Sequence, residues 1–393
     1  MKEIPSRLPR LTSLFHFALG AFAFTSVASI ALQNFIWAAV ASWLFLQFKK
    51  GQKFNLPRGP FSLAALLFLF SFFFAAIIGL DPANSFNTVH KYLTMLLFFF
   101  VGAMPLLFKD IQRLLSLLNY GAAICALHGI GKHFWDHQDR IDSFSGDKMV
   151  FGGMLMVCLL FQIYFLRNGR NHWFQWMILG LLGFGLLLTS TRGAWIGFVA
   201  GSALLAWNYN RKWLLIAGLS LVPIFLLLPH SIQERVGSIG TLNISYNEKH
   251  EIDNASQTRL LIWISGWKII QHHPWGVGQG NVSEVYPQYR LGALDRVEPN
   301  LPHLHNNYLQ ILAQNGWEGL ACYLFWIVSY YFAAIGQKPE DPDGADLNWA
   351  FLCVFSAVLV WGLTEYTFSQ QFMNLQFFLL GLQANLWAKG KRK

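Results

Sequence analysis

The chain is poor in charged residues and in cysteine, and both shortages narrow what it can be. Charged residues make up 12% of its 393 residues, about half the share that is usual in soluble globular domains. The mean hydropathy is +0.38. This composition excludes an ordinary soluble enzyme and predicts a protein that is mostly embedded in a membrane.

The four cysteines form neither a CxxC pair nor a cysteine–histidine cluster. A structural zinc site or a disulfide framework needs such groupings, so we interpret Cys125, Cys158, Cys322 and Cys353 as buried packing residues. The sequence also lacks internal repeats and low-complexity segments, which favours a single functional domain.

Long apolar runs, in contrast, recur along the whole sequence. Runs of about 17–25 residues are long enough to cross a bilayer. The first run follows basic residues but is interpreted as an uncleaved helix, because further spans follow it without a break. The twelve predicted spans are 11–32, 34–48, 61–80, 90–108, 111–131, 149–166, 173–189, 193–209, 213–229, 305–335, 348–365 and 371–388.

Basic residues predict how these spans are oriented. With both termini in the cytoplasm, the inner segments carry most lysines and arginines and the short outer loops carry few, as the positive-inside rule requires. Only the segment 336–347 departs from this, being mostly acidic. The net charge of +9 then reflects attraction to an anionic leaflet and not nucleic-acid binding. Nine spans are expected in 1–229, one large outer loop in 230–304 and three spans in 305–393.

The outer loop 230–304 has a predicted structure of its own. Asn254 to Ser256 offers helix N-caps, and a helix is expected to about His272. Gly276 to Asn281 is predicted to form a tight turn that allows close backbone approach. It follows a helix and not a strand, so a nucleotide-binding loop is rejected. The helix has an apolar stripe fit to lie on the membrane or on the bundle, made of Leu260, Trp263, Ile264, Trp267 and Ile270.

Basic residues at helix starts on the outer side predict an anion site. Arg192 opens a descending span, and Arg259 is expected in the first turn of the loop helix. An arginine at a helix N-terminus makes a strong anion site and grips phosphate oxygens with paired hydrogen bonds. Two such placements facing one compartment indicate a diphosphate. His305, expected in the first helical turn after Pro302, should stay neutral in this field, as a general base requires.

Each of these residues taken alone has a plainer interpretation. Arg192 can snorkel at a membrane interface, Arg259 can be a solvated charge, and His305 can be an interfacial histidine. Other singled-out residues are then structural or interfacial, or allow close helix contact: Lys91, Glu365, Trp263, Trp267, Gly316 and Gly319.

The combination of motifs resembles the O-antigen ligase family. The motifs are Ser190-Thr191-Arg192-Gly193-Ala194-Trp195, Arg259 with Trp263, Pro274-Trp275-Gly276-Val277-Gly278, and His305-Asn306-x9-Gly316-x2-Gly319. The resemblance is specific over residues 189–197 and 255–319. Elsewhere it rests on the number of spans and on the single large loop.

The resemblance implies an all-α integral membrane protein of the lipid-linked-sugar glycosyltransferase type, in the bacterial inner membrane, with its site facing the periplasm. Such proteins pass O-antigen polysaccharide from undecaprenyl pyrophosphate to a sugar hydroxyl of lipid A–core, with no nucleotide, cofactor or obligatory metal. Carried over to this chain, Arg192, Arg259 and Arg290 are ligands of the donor diphosphate, and His305 is the base or the residue that orients the acceptor. Supporting positions are Lys91, His303, Asn306, Gly316 and Gly319.

The chemistry agrees with this resemblance. A pyrophosphate leaving group is already activated, and arginines can stabilise its growing charge without magnesium. A positioned base typically contributes about 10²–10⁴-fold, and direct attack inverts the anomeric carbon. A nucleotide-sugar transferase would need an acidic metal pair, but the nearest, Asp341-Pro342-Asp343, is interpreted as a polar turn on the inner side.

Two alternatives remain open. A polymerase of the same superfamily, or a protein O-glycosylating ligase, would use the same donor with another acceptor. A transporter or flippase would show inverted repeats, broken helices at the midplane or ionisable residues deep within spans. His128 and Glu365 come nearest to that last description.

Overall fold

The computed structural model of the protein is all-helical, with 80% helix, and no strand occurs among the residues that it describes. These are residues 9–49, 51, 56–209 and 255–389. The predicted span 213–229 and the predicted N-cap residue Asn254 therefore lie outside the described residues. Within the described ranges the description leaves out positions 105, 138, 139, 143, 145, 170, 171, 296, 297, 338 and 340.

Eleven of the twelve predicted spans coincide with helical segments. Helices α3, α6, α7, α12 and α13 are long and apolar enough to cross a membrane by length and composition, so the count of twelve crossings stays a prediction. The α-helices are α1 (Pro9–Thr25), α2 (Ile30–Lys49), α3 (Pro60–Ile78), α4 (Pro82–Val89), α5 (Leu97–Gly102), α6 (Phe108–Asp136), α7 (Lys148–Arg167), α8 (Trp173–Leu188), α9 (Arg192–Tyr209), α10 (Ala255–His272), α11 (Val282–Tyr289), α12 (Asn307–Gly336), α13 (Pro342–Trp361) and α14 (Gln370–Lys389), with 3-10 helices at His90–Leu96 and Gly292–Leu294.

Several of the predicted spans were wrong in outline. Residues 11–32 were expected to form one span, but α1 ends at Thr25 and α2 begins at Ile30. Residues 90–108 were expected to form one helix opened by Lys91, but they begin with a 3-10 helix that leads into the short α5. Lys91 is exposed there. The span 348–365 ends early, because α13 stops at Trp361, and Glu365 therefore lies in the loop 362–369. Hydropathy alone does not mark the break within 90–108, where apolar residues continue, whereas the polar residues Thr364, Glu365 and Thr367 follow the end of α13.

The predicted span 305–335 is not one straight helix. Helix α12 bends at Gly316, whose φ of 72° and ψ of −170° are not helical. The rings of Tyr308 and Tyr323 lie 5.5 Å apart, although a continuous helix would separate these residues by about 22 Å. Residues 307–315 (the first arm) thus meet residues 317–336 (the second arm) at a sharp angle. The second arm carries exposed apolar side chains at helical spacing, namely Trp317, Leu324, Phe325, Val328, Phe332 and Ile335.

Close helix pairs fix the bundle. Helices α9 and α13 pack through small residues, because a Cβ added at Gly197 would lie 2.7 Å from the carbonyl oxygen of Ala357. Gly193 meets Trp361 in the same way, so the two helices are antiparallel. The second arm of α12 packs antiparallel to α3 through the ring pairs Phe68–Tyr323 and Phe61–Tyr330. The end of α13 and the starts of α9 and α12 consequently meet at one end of the bundle, which we call the site end.

The helix α10 of the predicted outer loop ends at His272, as predicted. Its predicted stripe is not the face that packs on the bundle, because Ile264 and Trp267 are 41% and 43% exposed although Ile270 is buried. The alternative that the stripe lies on the membrane stays a prediction. The buried face is rotated toward α11 and the first arm of α12, where α10 contributes Leu261, Ile262, Ile269 and Ile270 to a small second core.

The predicted glycine turn is confirmed, and it locks the bend of α12 in place. The backbone N–H of Val277 donates to the carbonyl of Ala313 at 2.9 Å, and that of Gly278 donates to the carbonyl of Gln314 at 3.0 Å. A Cβ added at Gly276, whose φ is +86°, would lie 2.4 Å from the carbonyl oxygen of Gln314. Side chains are excluded here because two backbone segments touch.

Polar and sulfur-containing residues outside the site have structural roles. The four cysteines are free thiols on helices, three of them buried, which fits the packing interpretation. Asp341 caps α13 by accepting a hydrogen bond from the backbone N–H of Gly344 at 2.7 Å, so the Asp341-Pro342-Asp343 motif is a helix start. The ring of His128 stacks on Phe144 at 4.0 Å.

Candidate active site

The loop 362–369 carries Glu365, and the start of α12 holds this loop in place. The side chain of Asn306 accepts hydrogen bonds from the backbone N–H groups of Tyr308 and Leu309 at 2.9 and 3.0 Å, and so caps the helix. Its Nδ2 donates to the carbonyl of Leu363 at 2.8 Å. The Asn306 of the histidine motif is therefore a residue that joins two distant segments.

Asn307 adds a second set of bonds to the same loop. Its backbone N–H donates to the carbonyl of Gly362 at 2.8 Å. Its side chain donates to Oγ1 of Thr367 and accepts from the backbone N–H of Thr367, each at 2.8 Å. These bonds bracket Glu365 on both sides, so its position relative to α12 is set by the backbone.

His305 lies just before the N-cap of α12, which corrects the prediction that it stands in the first helical turn. Its φ of 49° is left-handed, a conformation that a side chain rarely adopts without surrounding support. Its Nδ1 is 2.7 Å from Oε1 of Glu365. An ionised carboxylate only accepts, so Nδ1 carries the hydrogen, and in the neutral ring Nε2 holds the lone pair.

Glu365 joins His305 to Arg259. The carboxylate is 3% exposed, and its Oε2 accepts a hydrogen bond from Nη2 of Arg259 at 3.0 Å. Burial raises the pKa of Glu365, but the hydrogen bond from His305 and the charges of His305 and Arg259 outweigh burial and leave this pKa below its usual value. The carboxylate is therefore ionised at neutral pH.

His303 stands against this pair. Its ring lies 4.4 Å from the ring of His305 and 5.2 Å from that of Tyr366, measured between centroids. Burial, reinforced by the nearby His305, lowers the pKa of His303 to about 4, so the ring is neutral at pH 7. Metal-ligating atoms of His303, His305 and Glu365 all lie within 4.8 Å of one another, a grouping that the sequence-based prediction of no metal did not foresee.

Arg192 lies beside the loop 362–369 because the next residue, Gly193, packs closely against Thr364 of this loop. It is the first residue of α9, and a Cβ added at Gly193 would lie 2.4 Å from Oγ1 of Thr364, the residue before Glu365. The turn before it contains Ser190 at a φ of 52°. This turn is braced by Arg140, whose Nε donates to the carbonyl of Thr189 at 3.0 Å.

Lys91 and Arg290 differ in their relation to the site. Lys91 is adjacent to Tyr92, whose hydroxyl is 2.8 Å from the hydroxyl of Tyr366. The guanidinium of Arg290 instead donates to the carboxylate of Asp295 and to the carbonyl of Pro299. Within the described part of the chain, these bonds hold Arg290 in the segment 290–299 and do not link it to Glu365.

The two glycines of the motif serve the bend. A Cβ at Gly316 would lie 2.5 Å from the carbonyl carbon of Trp275, and one at Gly319 would lie 2.1 Å from Cβ of Asn315. The plain interpretation of close helix contact therefore holds only in part, because Gly316 also adopts a φ of 72° that only glycine takes readily.

Sequence reasoning missed the contacts of Glu365 with His305 and Arg259, and it interpreted this residue as structural or interfacial. It also missed Asn307, Tyr92 and Tyr366. A signal was present, because Glu365 is an ionisable residue between two apolar runs, and such residues are costly near a membrane unless they have a partner.

Residues 177–324 match the family model described as O-antigen ligase. The matched segment contains Arg192, Arg259 and His305, and it ends before Glu365. No curated protein matches the chain. Family members are enzymes of the glycosyltransferase type, acting as ligases or polymerases. The resemblance drawn from the sequence is thus confirmed, and this membrane protein carries the domain of the O-antigen ligase family over residues 177–324.

Proposed function

We propose that the protein is an O-antigen ligase that transfers polysaccharide from undecaprenyl pyrophosphate to a sugar hydroxyl of lipid A–core. The transfer takes place on the periplasmic side of the bacterial inner membrane, with the site end facing that side. The observation that carries this proposal is the chain of contacts from His305 through Glu365 to Arg259. It joins the proposed base to a proposed phosphate ligand through a carboxylate that lies beyond the matched segment 177–324.

His305 acts on the acceptor. With Nδ1–H held by Glu365, Nε2 takes the proton from the acceptor hydroxyl as that oxygen attacks the anomeric carbon of the donor. The carboxylate then stabilises the imidazolium that forms, as in other carboxylate–histidine pairs. The new glycosidic bond forms on the face opposite the leaving group, so the anomeric configuration inverts.

Arg259 and Arg192 act on the donor. The bond between the anomeric carbon and the diphosphate oxygen breaks, and the undecaprenyl diphosphate leaves with the electron pair. Guanidinium groups stabilise this charge through charge-assisted hydrogen bonds. Arg259 offers five N–H donors, and one of them reaches Glu365, so a single side chain contacts both the leaving group and the partner of the base.

The test is transfer by the purified protein in detergent, with undecaprenyl-pyrophosphate glycan, lipid A–core and EDTA. We expect a ladder of larger lipopolysaccharide with the wild type and none with His305→Ala. His272→Ala is the matched control, because this exposed histidine of α10 has its Nδ1 on the carbonyl of Lys268. Elongation of the donor glycan alone would instead assign the polymerase activity. If folded protein forms neither product, glycosyl transfer is contradicted and the transporter alternative is left.

A further inference from the structure

We propose that His303, His305 and Glu365 also bind a late first-row divalent cation such as Zn²⁺, and that the bound cation blocks glycosyl transfer. The binding is independent of the proposed function, whereas the blocking rests on it. Two imidazole nitrogens and one carboxylate oxygen are the ligand types that zinc, copper and nickel prefer.

The three side chains already stand close to the spacing that a cation needs. One ligand atom from each of the three residues lies within 4.8 Å of the other two, and Nδ1 of His305 is 2.7 Å from Oε1 of Glu365. Ligands about 2.0–2.2 Å from a tetrahedral zinc ion lie roughly 3.3–3.6 Å from each other. Binding therefore requires side-chain shifts of about 1 Å, which bring the three ligand atoms to this common spacing.

A second observation points to a ligand at this place. The Nδ1 atom of His303 is buried and makes no hydrogen bond to another residue that the structure describes. A buried polar atom without a partner is costly and calls for an explanation. The proposed transfer reaction does not use His303, whereas a cation bound to Nδ1 of His303 would give this nitrogen a partner.

Arg259 lowers the affinity of the site for a cation but leaves one carboxylate oxygen of Glu365 available to it. Its guanidinium contacts Oε2 of Glu365, while Oε1 faces His305. A cation can take Oε1 and leave Arg259 on Oε2, at the cost of repulsion between two positive charges. We therefore expect a reversible site and not a permanently loaded one.

A bound cation would prevent His305 from acting as a base, whichever of its two ring nitrogens the cation binds. If the cation takes Nε2 of His305, the lone pair that accepts the acceptor proton is used directly. If it takes Nδ1, the ring hydrogen moves to Nε2, which then has no lone pair to offer. Both cases predict loss of transfer that is reversed when the cation is chelated.

Cobalt binding tests the site without any transfer reaction. Protein stripped with EDTA and desalted is titrated with CoCl₂, and the visible absorption of bound Co²⁺ is followed and then displaced with ZnCl₂. We expect one Co²⁺ per chain, with affinity about tenfold or more lower in His303→Ala and in Glu365→Gln. His272→Ala should bind as the wild type does. No cobalt absorption with the wild type, or unchanged binding by His303→Ala, would overturn the proposal.

Two further measurements separate the possible failures. Zn²⁺ should raise the apparent Tm of the wild type but not of His303→Gln, which tests the site even if a variant folds poorly. Zn²⁺ should also abolish transfer, and EDTA should restore it. If the protein binds cobalt but Zn²⁺ does not inhibit transfer, the inhibition is rejected and the cation site is kept. Metal binding by a protein that shows no transfer without metal would reject the proposed function and leave the site standing.

Discussion

Nδ1 of His305 and Oε1 of Glu365 are joined by a hydrogen bond of 2.7 Å, although sixty residues separate them in the chain. One of the two belongs to the family motif, and the other lies beyond the matched segment 177–324. The pair exists because Asn306 and Asn307 bind the loop 362–369 from the start of α12. The proposed catalytic centre therefore depends on a loop that the motif does not include.

Replacement of Glu365 by glutamine tests this pair at constant shape. We expect Glu365→Gln to lower transfer by about 10²–10⁴-fold, because the amide no longer stabilises an imidazolium on His305. The acceptor concentration needed for half-maximal rate should change little. Glu284→Gln, on an exposed side chain of α11, is the matched control. Wild-type rates with Glu365→Gln would remove the carboxylate from the mechanism.

The two arginines should differ sharply under a conservative change. Arg259→Lys keeps a cation near Glu365 but loses the paired N–H groups that grip phosphate, so the KM for the donor should rise by about tenfold or more. Arg290→Lys should stay within about twofold of wild type, because Arg290 is bound to Asp295 and Pro299 and exposed pairs contribute little. The measurement is donor saturation at fixed acceptor. A large increase of the donor KM in Arg290→Lys would instead support Arg290 as a ligand of the donor diphosphate.

Arg192 should be needed for chemistry and not for folding. We expect Arg192→Ala to reduce transfer by about 10²-fold or more, since one ligand of the leaving group is lost. Its helix start is fixed by backbone contacts of Gly193 with Thr364 and Trp361, which the substitution leaves alone. Size-exclusion profiles and apparent Tm should therefore match the wild type. Retained transfer would favour the plainer role of a membrane-interface arginine.

His303 predicts a specific dependence of stability on pH. The ordinary pKa of a histidine is 6.5, and burial is the main reason why the pKa of His303 falls to about 4 in the folded protein. Between these values the unfolded chain binds a proton that the folded chain does not, so the free energy of unfolding falls as pH drops from 6.5 to 4. The loss is about 3 kcal/mol at most. Apparent Tm measured across this range should decline less in His303→Gln than in the wild type, and parallel curves would contradict the assignment.

Gly316→Ala should damage the fold at the bend. The new Cβ would meet Trp275 at 2.5 Å, at a φ of +72°, and both effects oppose the folded state by about 1–2 kcal/mol or more. Gly183→Ala in α8 is the matched control, because nothing lies within 4 Å of its added Cβ. It should be neutral or slightly stabilising. Thermal unfolding at a fixed scan rate separates the two, and equal midpoints would mean that the bend is dispensable.

Much of this architecture could be predicted because it follows from local physics. Apolar runs gave the helical segments, and the glycine spacing at Gly276 and Gly278 gave a turn of close backbone approach. The end of α10 at His272 followed from the proline two residues later. The sequence singled out Arg259 and His305 through the family motif, and the structure brings both onto Glu365.

The rest could not be predicted because it depends on contacts between distant segments. The polar residues Gln314, Asn315 and Glu318 flank Gly316, but they do not reveal a reversal of the chain, which depends on the backbone of Trp275 packed against this glycine. Glu365 looked interfacial because its partners, Arg259 and His305, lie far away in the sequence. The face of α10 that packs on the bundle, with Leu261, Ile262, Ile269 and Ile270, could not be identified because its partners on α11 and on the first arm lie elsewhere in the sequence.

The loop 362–369 has a further consequence for how the protein is made. Among the described residues, those that hold this loop or pair with Glu365 from elsewhere in the chain, such as Tyr92, Arg259 and Asn307, leave the ribosome before Glu365 does. A growing chain can thus place most of its helices while His305 still lacks its carboxylate partner. Under the proposed function, we therefore expect no transfer by a chain that stops before residue 365.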